Sequence, residues 1–345
     1  MSNGRSPQVF RELPLVSLRG LEAGGLERAE TVALLSRAAS GVGFVYVTDH
    51  GVPAAQISGL ERAAREFFAL PEAAKLAYYI GNSAHHRGYV PPGEEVFYGQ
   101  SRDTKEAFDL SRELPEADYG AASRFLGPNQ WPSEVAGFRE AITRYYESAF
   151  GLGRRLLGAF AEALGLSATH FDSVLERPPS QLRLIHYPPA LDATNTMGIG
   201  AHTDYECLTI LHATAPGLQV MNGAGEWVAA PPVPGAFVIN IGDLLEIFSN
   251  GRFVSTSHRV LPVSVERYSF PLFFCVDYET RVAPLPELSQ DGPRYRAVVA
   301  GEHLLAQTMQ SFRYLKALRE QGVAELPQGA HELSSFGRER RGTDS

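Results

Sequence analysis

Cysteine is rare in this chain of 345 residues, and no long apolar run interrupts it. Only Cys207 and Cys275 are present, which excludes a disulfide framework and predicts two reduced thiols. A run of about 18 apolar residues, the minimum for a membrane-spanning helix, is absent from the sequence. The N-terminus lacks the apolar core of a secretory signal. We therefore expect a cytoplasmic protein without a membrane partner.

Clustered basic residues are also missing from the folded part of the chain. The formal net charge is −8 at pH 7, which argues against a nucleic-acid partner, because such partners are bound by Lys and Arg patches. The basic run at 338–341 lies in a polar tail, 331–345, that we expect to be flexible. A small-molecule partner is the remaining expectation. No pattern in the sequence specifies an oligomeric state, and a monomer is compatible with all of it.

The predicted secondary structure changes from helices to strands near residue 178. Before that point, apolar periodicity predicts helices, including a long one over 133–164 with a break near 151–153. Beyond it, short strand-like runs alternate with Gly, Pro and Asn turns, and a helical pattern returns over 296–318. The predicted strands are 181–187, 207–212, 218–221, 226–229, 236–241, 258–263 and 269–278. This order predicts an α+β fold, in which a helical N-terminal half packs against a β-sandwich or double-sheet barrel.

A metal-ligand pattern lies inside the β-rich part. His202 and Asp204 are separated by one residue, so on a strand both side chains point to the same face. His258 follows after several predicted strands, enough for the chain to cross the sandwich and return. Two imidazoles and one carboxylate are the ligands of the facial triad that holds non-haem Fe(II) and leaves the opposite face open. A His-x-Asp alone is common, so the prediction depends on the residues around it.

Arg267 and Ser269 provide a second pattern, again on a shared strand face. A guanidinium binds a carboxylate through two hydrogen bonds, and a serine hydroxyl adds a donor. An inward-facing arginine beside the apolar run 270–274 requires an anion nearby. The alternative is an arginine at the strand mouth that pairs with Glu266 or Asp277. Taken with the triad pattern, the pair favours a carboxylate-binding site next to the metal.

In the given order, these motifs resemble the isopenicillin-N-synthase-like branch of the Fe(II)/2-oxoglutarate-dependent dioxygenases over about residues 13–315. The triad, residues 208–211 (LTIL) and Arg267-x-Ser269 are similar to its metal and oxoglutarate motifs. Further matching stretches are 43–52 (GFVYVTDHGV), 67–71 (FFALP), 103–108 (DTKEAF), 185–188 (IHYP), 217–220 (GLQV), 240–243 (NIGD), 249–251 (SNG) and 258–260 (HRV). Asp49 and His212 depart from the pattern without touching a ligand position.

The resemblance implies a double-stranded β-helix, or jelly roll, with an N-terminal region over 13–125, a core over 178–282 and a C-terminal helix over 296–318 that packs on the core. It implies that His202, Asp204 and His258 bind Fe(II). It further implies that Arg267, Ser269 and Tyr187 hold the distal carboxylate of the co-substrate 2-oxoglutarate. O₂ would be the second co-substrate, with ascorbate as a reductant in vitro. Succinate and CO₂ would be released as a substrate is hydroxylated, desaturated or cyclised.

The substrate is less well specified. Arg87 lies on the irregular segment that covers the barrel mouth in relatives, and we expect it either to bind a substrate carboxylate or to tie that segment to the core. Arg183, Tyr205 and Phe274 are further expected wall residues. The working hypothesis is a small anionic molecule, amino-acid-like or peptide-like, of secondary metabolism such as antibiotic biosynthesis.

Three alternatives remain open from the sequence. An oxidase of the same branch, of the isopenicillin N synthase or ethylene-forming type, would use the Arg-x-Ser pair for another carboxylate. A Zn²⁺ hydrolase would use the same His-Asp-His set but would leave that pair unexplained. A non-catalytic jelly-roll binding module would have no need of all three ligands. Formation of succinate from 2-oxoglutarate separates the first alternative from the leading prediction.

Overall fold

A computed structural model describes residues 7–95, 105–115, 125–189, 198–323 and 325. The tail predicted over 331–345 lies outside the described residues. The helices are α1 Arg19–Ala23, α2 Gly25–Gly41, α3 Ala54–Phe68, α4 Glu72–Leu76, α5 Phe138–Ala163, α6 Asp243–Phe248, α7 Ala300–Ser311 and α8 Arg313–Glu320. The strands are β1 Leu15–Ser17, β2 Phe44–Thr48, β3 Gly88–Val90, β4 Glu106–Ser111, β5 Gln181–Tyr187, β6 Ile199–His202, β7 Leu208–Ala213, β8 Leu218–Met221, β9 Trp227–Ala229, β10 Phe237–Ile241, β11 His258–Val260, β12 Arg267–Phe274, β13 Arg281–Val282 and β14 Val298–Val299.

Two sheets form the β-rich core. The larger has eight strands in the order β1-β2-β10-β7-β12-β5-β4-β3, and the smaller has four in the order β6-β11-β8-β9. Strands β1 and β2 pair in parallel, and the other neighbours in the larger sheet pair antiparallel. Side chains on the inner faces of the two sheets enclose the interior, as in other double-sheet jelly rolls. The predicted α+β class with a jelly-roll core is confirmed.

The helices cover the outer face of the larger sheet. The apolar faces of α3 and α5 are buried there, with Leu60, Phe67, Tyr145 and Phe160 almost fully enclosed. Burial of side chains of this size stabilises the fold by roughly 1.5–3 kcal/mol each. Among the described residues, no helix is both long and apolar enough to cross a membrane.

Helix α5 is continuous, so the break predicted near 151–153 was wrong. Gly153 lies inside the helix because the sheet approaches it closely: a Cβ atom at this position would lie 2.3 Å from a ring carbon of Phe274. Glycine costs a helix interior about 1 kcal/mol of propensity, and helix–sheet packing offsets that cost. The glycine that suggested a turn is therefore a packing residue.

The C-terminal helical pattern is divided into two helices at Phe312. This residue is extended (φ −89°, ψ 131°) between α7 and α8, and its backbone bridges to Glu95. The amide of Arg313 donates to the Glu94 carbonyl, and the amide of Tyr314 to the Glu94 carboxylate. The single helix predicted over 296–318 is therefore interrupted, because a non-local partner binds the backbone at its middle. The junction fastens the C-terminal segment over one end of the core.

Candidate metal centre and substrate cavity

The three predicted metal ligands lie together at one end of the smaller sheet. His202 ends β6 and His258 begins β11, and the antiparallel register places these two residues opposite each other. Asp204 follows β6 by two residues, and its Oδ1 lies 3.6 Å from His202 Nε2 and 3.5 Å from His258 Nε2. One ligand atom from each residue lies within 4.8 Å of the others, so the set could hold a metal ion.

Backbone carbonyls orient both imidazoles. His202 Nδ1 lies 2.7 Å from the Gly200 carbonyl and His258 Nδ1 lies 3.2 Å from the Thr256 carbonyl. A carbonyl only accepts, so each Nδ1 donates its proton, which leaves the Nε2 lone pairs directed at the shared point. Hydrogen bonds of this kind fix the tautomer and the ring plane of metal-binding histidines.

Two side chains orient the carboxylate. Oδ2 of Asp204 accepts hydrogen bonds from the Asn240 amide nitrogen at 2.7 Å and from the Thr209 hydroxyl. Asn240 on β10 and Thr209 on β7 are register partners, so both donors are supplied by neighbouring strands. Oδ1 therefore remains for a metal. From the sequence these two residues belonged only to matching family stretches, without an orienting role.

The electrostatics of the triad suit a divalent cation. Burial lowers the pKa of His202 to about 4, with a further contribution from His258. Burial alone would raise the pKa of Asp204, but His258 and His202 lower it below the ordinary range. Burial alone would lower the pKa of His258, but the Asp204 carboxylate raises it above its ordinary value. Metals bind the neutral imidazole and the ionised carboxylate, so a cation bound here would displace any proton held by His258. Two nitrogens and one hard oxygen favour Fe(II) with open positions over an all-sulfur or all-oxygen metal site.

A carboxylate cradle lies on the larger sheet, facing the triad. Arg267 on β12 pairs in register with Tyr187 on β5, and its guanidinium lies 4.7 Å from the centre of that ring. Nε of Arg267 donates to the Ala215 carbonyl at 3.1 Å. Within the described part of the chain, Nη1 of Arg267 and the Tyr187 hydroxyl are buried without a hydrogen-bond partner. Buried donors left in this state fit an anionic ligand, and the alternative pairing of Arg267 with Glu266 or Asp277 is not observed.

A cavity of about 100 Å³ connects the triad and the cradle. Ser269, Tyr187 and Arg267 line it together with all three triad residues. Its wall is otherwise mainly apolar: Phe44, Ile185, Ile199, Leu211, Leu218, Val260, Pro271, Phe273, Leu304 and Phe312. Residues of α7 and of the α7–α8 junction close its far side. Its size and apolar surface suit a small molecule.

Of the four predicted wall residues, Tyr205 and Arg183 line the cavity. Arg183 is already neutralised, because Asp109 accepts two hydrogen bonds from it at 2.6 and 2.7 Å and Glu95 a third at 2.7 Å. Glu95 also accepts from Lys105. Arg183 is therefore part of a buried ion network in the cavity wall rather than a free anchor for a substrate anion.

Arg87 and Phe274, the other two predicted wall residues, lie outside the described lining of the cavity. The Arg87 guanidinium donates to the backbone carbonyls of His85 and His86, both at 3.0 Å, and of Phe125. It ties the irregular segment to the core, which was the alternative expected for it. Phe274 packs on Phe150 with ring centres 5.0 Å apart, on the helix side of the sheet.

The face of Phe274 follows from strand alternation. On β12 the odd-numbered residues Arg267, Ser269 and Phe273 line the cavity, and the even-numbered Phe274 points outward. His212 likewise points away from the triad, where its Nε2 lies 2.7 Å from a carboxylate oxygen of Glu61. The Glu61 carboxylate therefore satisfies this histidine on the helix side of the sheet.

Glu206 is a cavity residue that sequence reasoning missed. It lies two residues beyond Asp204, is 5% exposed and lines the cavity. Burial raises the pKa of its carboxyl to about 8, and the charge of Asp204 contributes to that rise. Strand alternation could not single it out, because β6 ends at His202 and the adjacent residues Tyr205 and Glu206 both line the cavity.

Two family models match the chain. The model described as non-haem dioxygenase in morphine synthesis, N-terminal, matches residues 13–134, and the model of the 2OG-Fe(II) oxygenase superfamily matches residues 178–276. Homoarginine-6-hydroxylase 2-ODD-C23.1 of Arabidopsis thaliana is 35% identical over 327 residues, which cover 88% of this chain and 98% of that protein. The 2-oxoglutarate-Fe(II) type oxidoreductase hxnY of Emericella nidulans is 32% identical, covering 90% of this chain and 93% of that protein.

Solved structures show the same architecture. A 2OG-Fe(II) oxygenase family protein from Caulobacter crescentus superposes with a TM-score of 0.77 at 31% identity, covering 87% of this chain and 99% of that one. A full-length Neurospora crassa protein, solved in complex with alpha-KG, superposes with a TM-score of 0.75 at 25% identity, covering 87% and 98%.

Proposed function

Because the chain belongs to the Fe(II)/2-oxoglutarate-dependent dioxygenases, a family of oxidoreductases, we propose that it hydroxylates a small amino-acid-like molecule. The observation that carries the proposal is the cavity that joins the triad to the Arg267 cradle. Relatives named homoarginine-6-hydroxylase from Arabidopsis thaliana, Glycine max and Oryza sativa, 33–36% identical, support a substrate of amino-acid size. Homoarginine is the first compound to test.

His202, Asp204 and His258 are the proposed Fe(II) ligands. Their ligand atoms converge, and the partners Gly200, Thr256, Asn240 and Thr209 hold the rings and the carboxylate in place. When bound, Fe(II) with 2-oxoglutarate and O₂ supplies an oxidative decarboxylation, which releases succinate and CO₂ and inserts oxygen into a substrate C–H bond. The protein residues select which C–H bond reacts by holding the substrate.

Arg267, Ser269 and Tyr187 are the proposed anchors for the distal carboxylate of 2-oxoglutarate. A carboxylate would accept hydrogen bonds from the unpartnered donors of Arg267 and Tyr187 and from the neighbouring Ser269 hydroxyl. Such an anchor fixes the keto-acid end toward the triad. This use of the Arg-x-Ser pair, together with the named 2-oxoglutarate-dependent relatives, favours 2-oxoglutarate over the oxidase alternative.

The anionic substrate expected from the sequence loses its support. Its motive was Arg87, which is bonded to backbone carbonyls outside the cavity, and Arg183 is held by two carboxylates. The apolar wall that includes Leu304 and Phe312 suits an aliphatic portion of a substrate and keeps water from the reacting position. Amino-acid size is therefore retained in the proposal, and net negative charge is not.

The test is coupled turnover. Purified protein with Fe(II), ascorbate and 2-oxoglutarate is incubated with homoarginine and a panel of related amino acids, while succinate and product mass are measured. We expect succinate in a molar amount equal to a product that is heavier by a single oxygen atom. A product lighter by two hydrogens would indicate desaturation instead. Oxygen consumption without succinate would contradict the proposal and restore the oxidase alternative.

A further inference from the structure

Glu206 is a buried acid in the cavity that the proposed chemistry does not use. Its Oε2 accepts a hydrogen bond from the backbone amide of Tyr205 at 3.1 Å, and no cationic side chain pairs with it among the described residues. Burial with so little compensation disfavours the ionised carboxylate, and a cationic ligand would supply the missing compensation. A group of this kind persists in a cavity where a ligand completes its hydrogen bonds.

The other charged groups along the cavity wall already have partners. Arg183 is shared by Asp109 and Glu95, and Lys105 pairs with Glu95. Arg267 faces the proposed 2-oxoglutarate carboxylate, and Asp204 belongs to the triad. Glu206 is therefore the lining acid, within the described residues, whose carboxyl has no charged side-chain partner and remains available to a substrate. This end of the cavity favours a ligand that carries positive charge or N–H donors.

The backbone holds Glu206 at a fixed position relative to the triad. The amide of Leu244 donates to the Glu206 carbonyl at 3.1 Å, and the amide of Asp243 donates to the Asp204 carbonyl at 2.9 Å. Close packing at this turn requires Gly242, because a Cβ atom there would lie 2.2 Å from the Glu206 carbonyl oxygen. Two contacts from one turn thus lock the acid and the nearest metal ligand together. A substrate group bound to Glu206 would set which carbon faces the triad.

We propose that Glu206 binds a guanidinium or amidinium group of the substrate and selects substrates that carry one. The inference rests on the proposed function and specifies its substrate class. A planar cation presents two N–H donors to the two carboxylate oxygens. It is also more weakly hydrated than an ammonium ion, so it enters an apolar cavity at lower cost. The apolar residues Leu304 and Phe312 then receive the aliphatic stem.

The experiment compares matched ligands that differ only in the charged end. Homoarginine and its neutral ureido counterpart homocitrulline are titrated calorimetrically, without oxygen, into protein saturated with Fe(II) and 2-oxoglutarate. We expect the wild-type protein to prefer homoarginine, and Glu206→Gln to weaken homoarginine binding about 10- to 100-fold, the range of a charged hydrogen bond. Homocitrulline affinity should change by less than about threefold.

Two controls separate recognition from general damage. Glu61→Gln makes the same chemical change outside the cavity, where Glu61 pairs with His212, and should leave the preference for homoarginine intact. The visible absorption of the Fe(II)–2-oxoglutarate complex should persist in Glu206→Gln, which would show that the metal and co-substrate sites remain assembled.

The inference is overturned if Glu206→Gln keeps the wild-type preference, or if the wild-type protein has no preference for the charged member of the pair. The proposed function fails on a separate readout, the absence of succinate coupled to an oxygenated product. A preference that depends on Glu206 without coupled turnover would support the inference and reject the proposed function.

Discussion

At the residue scale, Arg267 has more available hydrogen-bonding capacity than it uses. It is 1% exposed, and burial lowers the pKa of its guanidinium, yet one terminal nitrogen lacks a partner within the described chain. An arginine in this position is stabilised when a carboxylate enters. Its side chain can therefore be tested separately from the metal ligands.

Replacement of Arg267 with Ala should raise KM for 2-oxoglutarate about 10- to 100-fold, because charged hydrogen bonds contribute about 1.5–3 kcal/mol. Arg267→Lys should restore part of the affinity, since lysine supplies charge without the planar fork. Initial rates of succinate formation at varied 2-oxoglutarate measure the effect. Arg139→Ala removes an exposed arginine paired with Glu113 and should leave KM unchanged. A wild-type KM in Arg267→Ala would rule out the cradle.

At the scale of elements, strands β7 and β10 hold the metal carboxylate in position. The register of the two strands places Thr209 beside Asn240, and both donate to the same oxygen of Asp204. Neither residue reaches the metal position itself. Their effect on metal binding acts through the orientation of Asp204.

Removal of the Asn240 amide by Asn240→Ala should weaken Fe(II) affinity about 10- to 100-fold, the usual effect of losing a partner that orients a metal ligand. Anaerobic Fe(II) titration provides the measurement. Asn222→Ala is the matched control, because Asn222 caps the turn between β8 and β9 and is bonded to Glu226 and Phe10 there. Equal Fe(II) affinity in wild type and Asn240→Ala would contradict the orienting role.

The buried ion network fastens the segment at Glu95 to strands β4 and β5. Glu95 accepts from Arg183 of β5 and from Lys105, which immediately precedes β4. Burial alone would raise the pKa of Glu95, but Arg183 and Lys105 lower it to about 2 from 4.5. A carboxyl whose pKa is lowered by folding stabilises the protein above its unfolded pKa, and this contribution is lost as pH falls through the folded value.

Glu95→Gln should therefore lower the free energy of unfolding by about 3 kcal/mol near neutral pH, since it leaves a buried cation incompletely paired. The difference from wild type should shrink as pH falls from about 4.5 to about 2. Urea denaturation over this pH range gives both free energies, and their difference cancels the other titrating groups. A difference that is constant over the range would contradict the network.

At the scale of the whole molecule, the sequence predicted strand positions better than it predicted which side chains pair with each other. Strands β5 and β8 begin and end as predicted, and His202 and Asp204 converge as expected from their spacing, although Asp204 lies just beyond the end of β6. Both results depend on neighbours in sequence. The helical break predicted near 151–153 is absent, and Gly153 instead packs against the distant Phe274. The single helix predicted over 296–318 is interrupted at the point where its backbone bridges to the distant Glu95.

The same distinction explains the substrate residues. Arg87 and Arg183 were expected to be available cations, and only the fold shows which acceptors reach them: backbone carbonyls for Arg87, Asp109 and Glu95 for Arg183. The charge of an isolated residue can be read from sequence, but whether that charge is neutralised depends on non-local contacts. Glu206 shows the converse, because the fold buries its carboxyl without a charged side-chain partner among the described residues.

The central claim is that His202, Asp204 and His258 hold Fe(II) beside a 2-oxoglutarate cradle, and anaerobic absorption titration tests it most directly. We predict that wild-type protein develops a visible charge-transfer band only when Fe(II) and 2-oxoglutarate are both present, saturating at a single equivalent of each. Asp204→Ala should form no band although its circular dichroism matches wild type. A band of full intensity in Asp204→Ala, or none in folded wild-type protein, would contradict the account.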